Sequence, residues 1–212
     1  MARHVAHEVK NPLTPMKLMM QNFERKFDPN DPNNETKVKN LSGVIIGQIE
    51  VISRVATAFS EFAQLPKRND EEINLNREIR NVLTIFSDEN IFIHASHDNI
   101  MMKIDKDYLA RIIINLVTNA SQAKADNRKS VINVDIEKIE KRIKIIVNDN
   151  GVGISPDKLE KIFDPNFTSK NSGMGIGLTM VKRMVEDYNG TITVVSEVDK
   201  GATFTISMPS NL

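Results

Sequence analysis

Apolar residues in the first third of the chain recur at helical spacing. Val5, Val9, Leu13, Met16, Met20, Phe23 and Phe27 mark one face of a first helix. Pro12 and Pro15 fall inside it and cannot donate to the carbonyls of Glu8 and Asn11, so a kink is expected just after His7. Residues 28–34, Asp-Pro-Asn-Asp-Pro-Asn-Asn, form a cluster of helix breakers. A second apolar series follows: Val38, Leu41, Ile45, Ile52, Val55, Phe59 and Phe62, a heptad-like seam that Pro66 ends. Two helices joined by a short loop make a hairpin. A lone hairpin cannot bury both seams, and pairing with a second copy into a four-helix bundle satisfies them. The alternative is a hairpin packed on the C-terminal part of its own chain.

The pattern changes after residue 66. Residues 67–73 are polar and charged and read as a linker between a first domain, 1–66, and a second, 74–212. Residues 74–87 read as a short strand leading into a helix. Strands are expected at 91–93 and 100–104, and again at 131–136 and 143–147, where apolar and polar positions alternate around the charged stretch 137–141. A helix is expected over 105–125, carrying Leu109, Ile112, Ile113, Leu116 and Val117. Ser155-Pro156 opens a short helix, and 177–189 forms another, closed by Asn189-Gly190. Residues 191–195 and 202–208 end the chain as a hairpin. Clustered strands with pairs of helices give a two-layer α/β sandwich around a mixed, mainly antiparallel sheet, so the fold class is α+β in two domains.

Composition narrows the function classes. Twenty-eight basic residues balance twenty-eight acidic ones, so no global charge points to nucleic acid or to an anionic membrane. There is no cysteine, which excludes thiol catalysis and cysteine-bound zinc and suits a reducing, cytoplasmic compartment. No run of about 18 apolar residues is present to serve as a membrane span. The chain starts six residues before its most reactive-looking histidine, so an upstream sensory or membrane segment is expected in the longer protein.

That histidine is His7, in His7-Glu8-Val9-Lys10-Asn11-Pro12-Leu13-Thr14-Pro15. A histidine on a helix surface is usually only solvated. Here Glu8 offers a base for the second ring proton, which keeps the attacking nitrogen nucleophilic. Asn11 shares the face of His7 one turn on and offers an amide to orient a water. His4 lacks this context. In the second domain, Asn115 and Asn119 stand at i, i+4 on an otherwise apolar helix, although asparagine is a poor interior helix former. Their amide oxygens suit a hard cation such as Mg2+ with phosphate, unless they are simply paired surface amides. Asp149-Asn150-Gly151-Val152-Gly153 follows a strand: a buried carboxylate for an exocyclic amine, or merely a tight turn. Gly173-Met174-Gly175-Ile176-Gly177-Leu178 opens a helix and offers N–H groups to phosphate, or acts as a flexible linker. Its spacing is neither the dinucleotide fingerprint nor a P-loop, and its alternating glycines suit a lid. Lys200-Gly201-Ala202-Thr203-Phe204 alone reads as a bulged strand.

Taken in order, these motifs resemble the transmitter core of bacterial sensor histidine kinases of the nitrogen-regulation type, over essentially the whole chain. Residues 1–66 resemble the dimerisation and histidine-phosphotransfer domain, with the stretch from His7 to Pro15 as its H box. Residues 74–212 resemble the ATP-binding domain shared with gyrase, Hsp90 and MutL, the Bergerat or GHKL fold. The resemblance implies that Asn119, helped by Asn115, binds Mg2+, and that Asp149 reads the adenine amino group with Gly151 and Gly153 beside it. It places the F box over Phe163-Asp164-Pro165-Asn166-Phe167-Thr168-Ser169-Lys170, with Lys170 at the nucleotide, and the ATP-lid glycines at Gly173, Gly175 and Gly177 with Leu178. Asn166 stands where an aromatic is common, and Ala202 where a threonine is common, which leaves Thr203 as the candidate contact in the last box. The implied activity is ATP-dependent phosphorylation of His7, with Glu8 as general base, and transfer to an aspartate on a response regulator receiver domain. The implied reverse activity dephosphorylates that regulator with Asn11 positioning water. The implied partners are a second copy of the chain and the regulator, with no nucleic acid, and a membrane only through an N-terminal segment. Two other classes fit parts of the pattern: an ATPase switch that gates dimer geometry, and a non-enzymatic helical scaffold.

Overall fold

The computed structural model describes residues 2–63, 68–87, 89–165, 167–168 and 175–210, with side chains from Val9 onward except at 54 and 57–63. It divides into two compact units, Met1–Leu65 and Pro66–Leu212.

The first unit is a helical hairpin. Helix α1 (Ala2–Lys26) continues through Pro12 and Pro15 without a break. Pro12 is buried, and Val9, Met16, Met19 and Phe23 are half-buried on the same stripe, so the ring that costs a backbone bond is recovered as packing. The stripe differs from the expected one. Leu13 and Met20 are 46% and 47% exposed, and Pro12 and Met19 take the inward positions. The apolar arc of α1 is wider than a single seam, so periodicity alone does not say which edge of it faces α2. Helix α2 (Asn34–Ala63) turns Leu41, Ile45, Gln48, Ile52 and Val55 inward at alternating steps of four and three. The connection is built from Asx turns: Asp28 accepts from the Asn30 N–H at 3.0 Å, and Asp31 from the Asn33 N–H at 2.8 Å.

The second unit is a five-stranded sheet under a layer of helices. Its strands are β2 (Ile91–Ala95), β4 (Ile132–Ile139), β5 (Arg142–Asp149), β6 (Thr191–Glu197) and β7 (Gly201–Pro209), in the order β2-β4-β5-β7-β6. Only the β2–β4 pair is parallel. Strict alternation drives the layering: Ile132, Val134 and Ile136 of β4, Ile143, Ile145 and Val147 of β5, and Phe204, Ile206 and Met208 of β7 are all buried. They meet helices α3 (Leu75–Leu83), α4 (Lys106–Gln122) and α6 (Gly177–Glu186), which contribute Ile79, Leu109, Ile112, Ile113, Leu116, Val181 and Met184. A short helix, α5 (Pro156–Leu159), follows β5 with Pro156 in its first turn.

One segment departs from the expected layout. Residues 71–73, read as linker, belong to strand β1 (Glu71–Asn74), which pairs antiparallel with β3 (Met101–Ile104) in a separate two-stranded sheet. Ile73 alone of β1 is buried, so the strand leaves almost no apolar signature. Among the described residues no helix is long and apolar enough to cross a membrane.

Candidate functional site

The site of the second unit lies where β5 ends. Its final residue, Asp149, is 4% exposed. Burial pushes its carboxyl above the usual carboxylate range, and hydrogen bonds from the N–H groups of Gly151 and Ala202 pull part of the way back. The Gly151 bond is 2.8 Å to Oδ1. The turn after Asp149 is pinned from three sides. The N–H of Val152 donates to the carbonyl of Ala123 at 2.8 Å, and the N–H of Asp199 donates to Val152 at 2.9 Å. Arg128 spreads its guanidinium over the carbonyls of Asn150, Gly151 and Asp199, with contacts of 2.5 to 2.6 Å. A Cβ on Gly151 would sit 2.2 Å from the Ala123 oxygen, and one on Gly201 would sit 1.9 Å from the Asp149 oxygen. Gly201 also has φ near +100°, a conformation that other residues avoid. These two glycines let the backbone close around the carboxylate.

Helix α4 connects this turn to the glycine-rich segment. Asp105 caps its start, accepting from the N–H groups of Asp107 and Tyr108 at 2.8 and 3.1 Å. Asn115 is half-buried on it and donates from Nδ2 to the carbonyl of Arg111 at 2.8 Å. That leaves Oδ1 facing the first residue of α6: a Cβ on Gly177 would lie 2.5 Å from it. Asn119 follows one turn on, half-buried, and Ala123 one turn further touches the Asp149 turn. Helix α4 and its C-cap residue therefore carry Asn115, Asn119 and Ala123 past the head of α6 and the buried Asp149 turn in succession.

Most of the residues singled out in the second domain come together. Asp149, Gly151, Asn115 and Gly177 are linked by these contacts. Asn119 lies between them on α4, Gly153 continues the pinned turn, and Gly175 and Leu178 flank Gly177 at the head of α6. Lys170 and Gly173 fall outside the described residues. Thr203 is not brought to the site. Its Oγ1 accepts from Asn148 Nδ2 at 2.7 Å, on the sheet face opposite to Asp149 and Ala202. The alternation of β7 required this, because Ala202 and Phe204 both turn inward. What the last box brings to Asp149 is the N–H of Ala202. In the first unit His7 and Glu8 lie on α1 with their side chains outside the described set, and Asn11 is exposed on the same helix.

Two positioning residues were not singled out from the sequence. Arg128 lies in a polar loop, and its partners are carbonyls 22, 23 and 71 residues away. Thr179 Oγ1 donates to the carbonyl of Phe163 at 3.1 Å and ties the first turn of α6 to the F-box segment. A threonine in the first turn after a glycine run was the available hint.

The donor set fits a nucleotide with a hard divalent cation. Among the described residues no group of three or more His, Cys, Asp or Glu side chains could cage a metal. The site offers amide oxygens instead, which suit an ion held mainly by phosphate and water.

Comparison with known proteins agrees with this geometry. Residues 104–212 match the family described as histidine kinase-, DNA gyrase B-, and HSP90-like ATPase. The sensor histidine kinase ZraS of Escherichia coli (strain K12) is 31% identical over 218 residues, covering all of this chain and 45% of the relative. A putative NtrY-like sensor histidine kinase of Rickettsia bellii (strain RML369-C) is 31% identical over 209 residues, covering 97% of this chain and 34% of the relative. The chain thus spans less than half the length of these relatives. Among solved structures, histidine kinase ThkA in complex with response regulator protein TrrA superposes with a TM-score of 0.76 at 25% identity, over all of this chain and 61% of that one. The nucleotide-free catalytic domain of ThkA gives a TM-score of 0.61 at 28% identity, over 67% of this chain and 96% of that one. With a buried aspartate, paired helix asparagines and a glycine-headed helix in the matched domain, the chain belongs to the family of histidine kinase-, DNA gyrase B-, and HSP90-like ATPases.

Proposed function

We propose that this chain uses ATP to phosphorylate His7, passes the phosphoryl group to an aspartate on a response regulator, and also dephosphorylates that regulator. The observation that carries the proposal is the convergence on α4 of Asn115, Asn119 and the Asp149 turn, in a chain that also presents the H box. Bound Mg-ATP supplies the phosphoryl group and the charge neutralisation. Asp149 holds the adenine amino group, and Asn119 with Asn115 holds the metal. The N–H groups at the head of α6 face phosphate, and Lys170, Gly173 and Gly175 contribute from the segment before it. A ring nitrogen of His7 attacks the γ-phosphorus in line, the bond from that phosphorus to the β-phosphate oxygen breaks and ADP leaves, while Glu8 takes the proton of the other ring nitrogen. Positioning supplies most of the rate, so the two units must approach each other during turnover. Asn11, exposed one turn beyond His7, orients water in the reverse reaction. The partners are a second copy of the chain, through the hairpin, and the receiver domain of a response regulator, a response regulator being what ThkA is bound to in the similar structure.

Incubation with γ-labelled ATP tests the forward reaction. Label should appear on the chain, resist alkali, be lost in acid, and be absent from His7→Gln. Acid-labile label that survives His7→Gln overturns the assignment.

A further inference from the structure

The residues that follow the hairpin do not hang free from the ATP-binding unit. Arg68 donates from Nη1 to the carbonyl of Asp187 and lies 4.5 Å over the ring of Tyr188. The N–H of Asn69 donates to Asp105 Oδ2 at 2.7 Å. The hydroxyl of Tyr188 donates to Asp70 Oδ1 and accepts from the Asp105 N–H at 3.0 Å. Tyr188 is 4% exposed and meets Tyr108 edge-on at 6.1 Å. Three consecutive residues are thus fastened at one place, where α6 ends and α4 begins.

That place is the far end of the two helices that build the nucleotide site. Gly177 opens α6 against Asn115, and α6 ends at the residues that hold Arg68. Asp105 caps α4, which then carries Asn115 and Asn119. The fastening leaves only residues 64–67 between Ala63, the last of α2, and Arg68. A connection this short confines how far the second unit can travel, at most about 3.6 Å per residue.

Resting on the kinase reading above, we propose that Tyr188 and Asp70 are positioning residues for phosphorylation of His7. They fix where the chain leaves the ATP-binding unit, and so set the length of the tether over which that unit is delivered. Releasing 68–70 would lengthen the tether by three residues and remove its fixed direction. Both changes lower the effective concentration of bound ATP at His7.

The test compares the wild-type chain with Tyr188→Phe and with the milder Asp70→Asn. In each, amide exchange over 68–74, ATP affinity, and the KM and kcat of His7 phosphorylation are measured. Tyr188→Phe should speed exchange at 68–71, leave ATP affinity and KM within about twofold, and lower kcat by about three- to tenfold, an effect of lost orientation. Asp70→Asn should change both readouts in the same direction by less, and it carries the test if Tyr188→Phe does not fold. Faster exchange with wild-type kcat overturns the proposal, and so does a fall in ATP affinity that matches the fall in kcat. If the wild-type chain itself never labels His7, the kinase reading has failed, and the exchange data still show whether the anchor exists.

Discussion

Asp149 is held in a position that costs the empty protein stability. Burial raises its pKa above that of the unfolded chain, so the folded state keeps the proton to higher pH than the unfolded state does. Its contribution to stability is therefore fully present below the unfolded pKa and is lost as pH rises through the raised folded value. In its ionised form the carboxylate bears the cost of burial, which the Gly151 and Ala202 N–H groups offset only in part. Asp149→Asn keeps an oxygen for the Gly151 and Ala202 N–H groups but carries no charge. It should raise the Tm of the nucleotide-free chain at pH 7 to 8, and the gain should shrink as pH is lowered through the raised folded value. The same substitution should weaken ATP binding by about 10- to 100-fold, the range for a lost charge-assisted hydrogen bond. Thermal unfolding across pH, paired with calorimetric titration of ATP, checks both arms. A variant less stable than wild type at pH 7.5 would mean that the carboxylate has a partner that repays its burial.

Helix α4 does most to assemble the site, and its contact with the head of α6 can be tested separately. Gly177→Ala puts a methyl where the Oδ1 of Asn115 now lies, 2.5 Å away. Because that atom ends a side chain, Asn115 can swing aside, so the fold should lose only about 1 kcal/mol while the amide leaves its place. Mg-ATP affinity should fall at least tenfold, and ATP measured without Mg2+ should bind almost as before. Equal losses with and without the metal would place Asn115 outside the metal-binding set. Much of this architecture was legible in the sequence. Alternation marked β4, β5 and β7, Asp105 and Ser155 marked helix starts, and the four motif stretches lay in the right domain. The losses have physical causes. Strand β1 buries one residue and so shows no period, and α1 has an apolar arc too broad to choose between Leu13 and Pro12. Motif matching points to Thr203, but strand alternation puts it on the face opposite to Asp149. Arg128 acts through carbonyls, which every residue has, so nothing in its neighbourhood announces the contact.

The hairpin leaves more apolar surface in water than a stable pair of helices ordinarily would. Leu18 is 60% exposed, Ile46 57% and Ile49 52%, and Leu13, Met20, Phe27, Val38 and Val44 are each more than 40% exposed. In the second unit the inward-facing aliphatic side chains of the sheet and helices are almost fully enclosed, and the exposed ones, such as Val195 and Ile139, stand singly on outward positions. An exposed apolar face of this kind fits the proposed two-fold pairing of hairpins, which would cover it with itself. In a symmetric bundle each side chain is buried twice, and a fully buried isoleucine is worth about 1.5 to 3 kcal/mol. Removing Ile46 and Ile49 from both copies should therefore dissociate the bundle outright. The wild-type chain is expected to sediment as a dimer at micromolar concentration. Ile46→Lys combined with Ile49→Lys should sediment as a monomer while its ATP-binding unit keeps wild-type nucleotide affinity, since those lysines stand in the other unit. His7 phosphorylation in the double variant then separates two geometries. If each ATP-binding unit serves the histidine of its partner, labelling should collapse with the dimer and return when the concentration is raised. If it serves its own histidine, labelling per chain should persist, provided that the hairpin stays helical by circular dichroism. A wild-type chain that stays monomeric at tens of micromolar with its hairpin folded would show that the exposed face is covered by something other than its own copy.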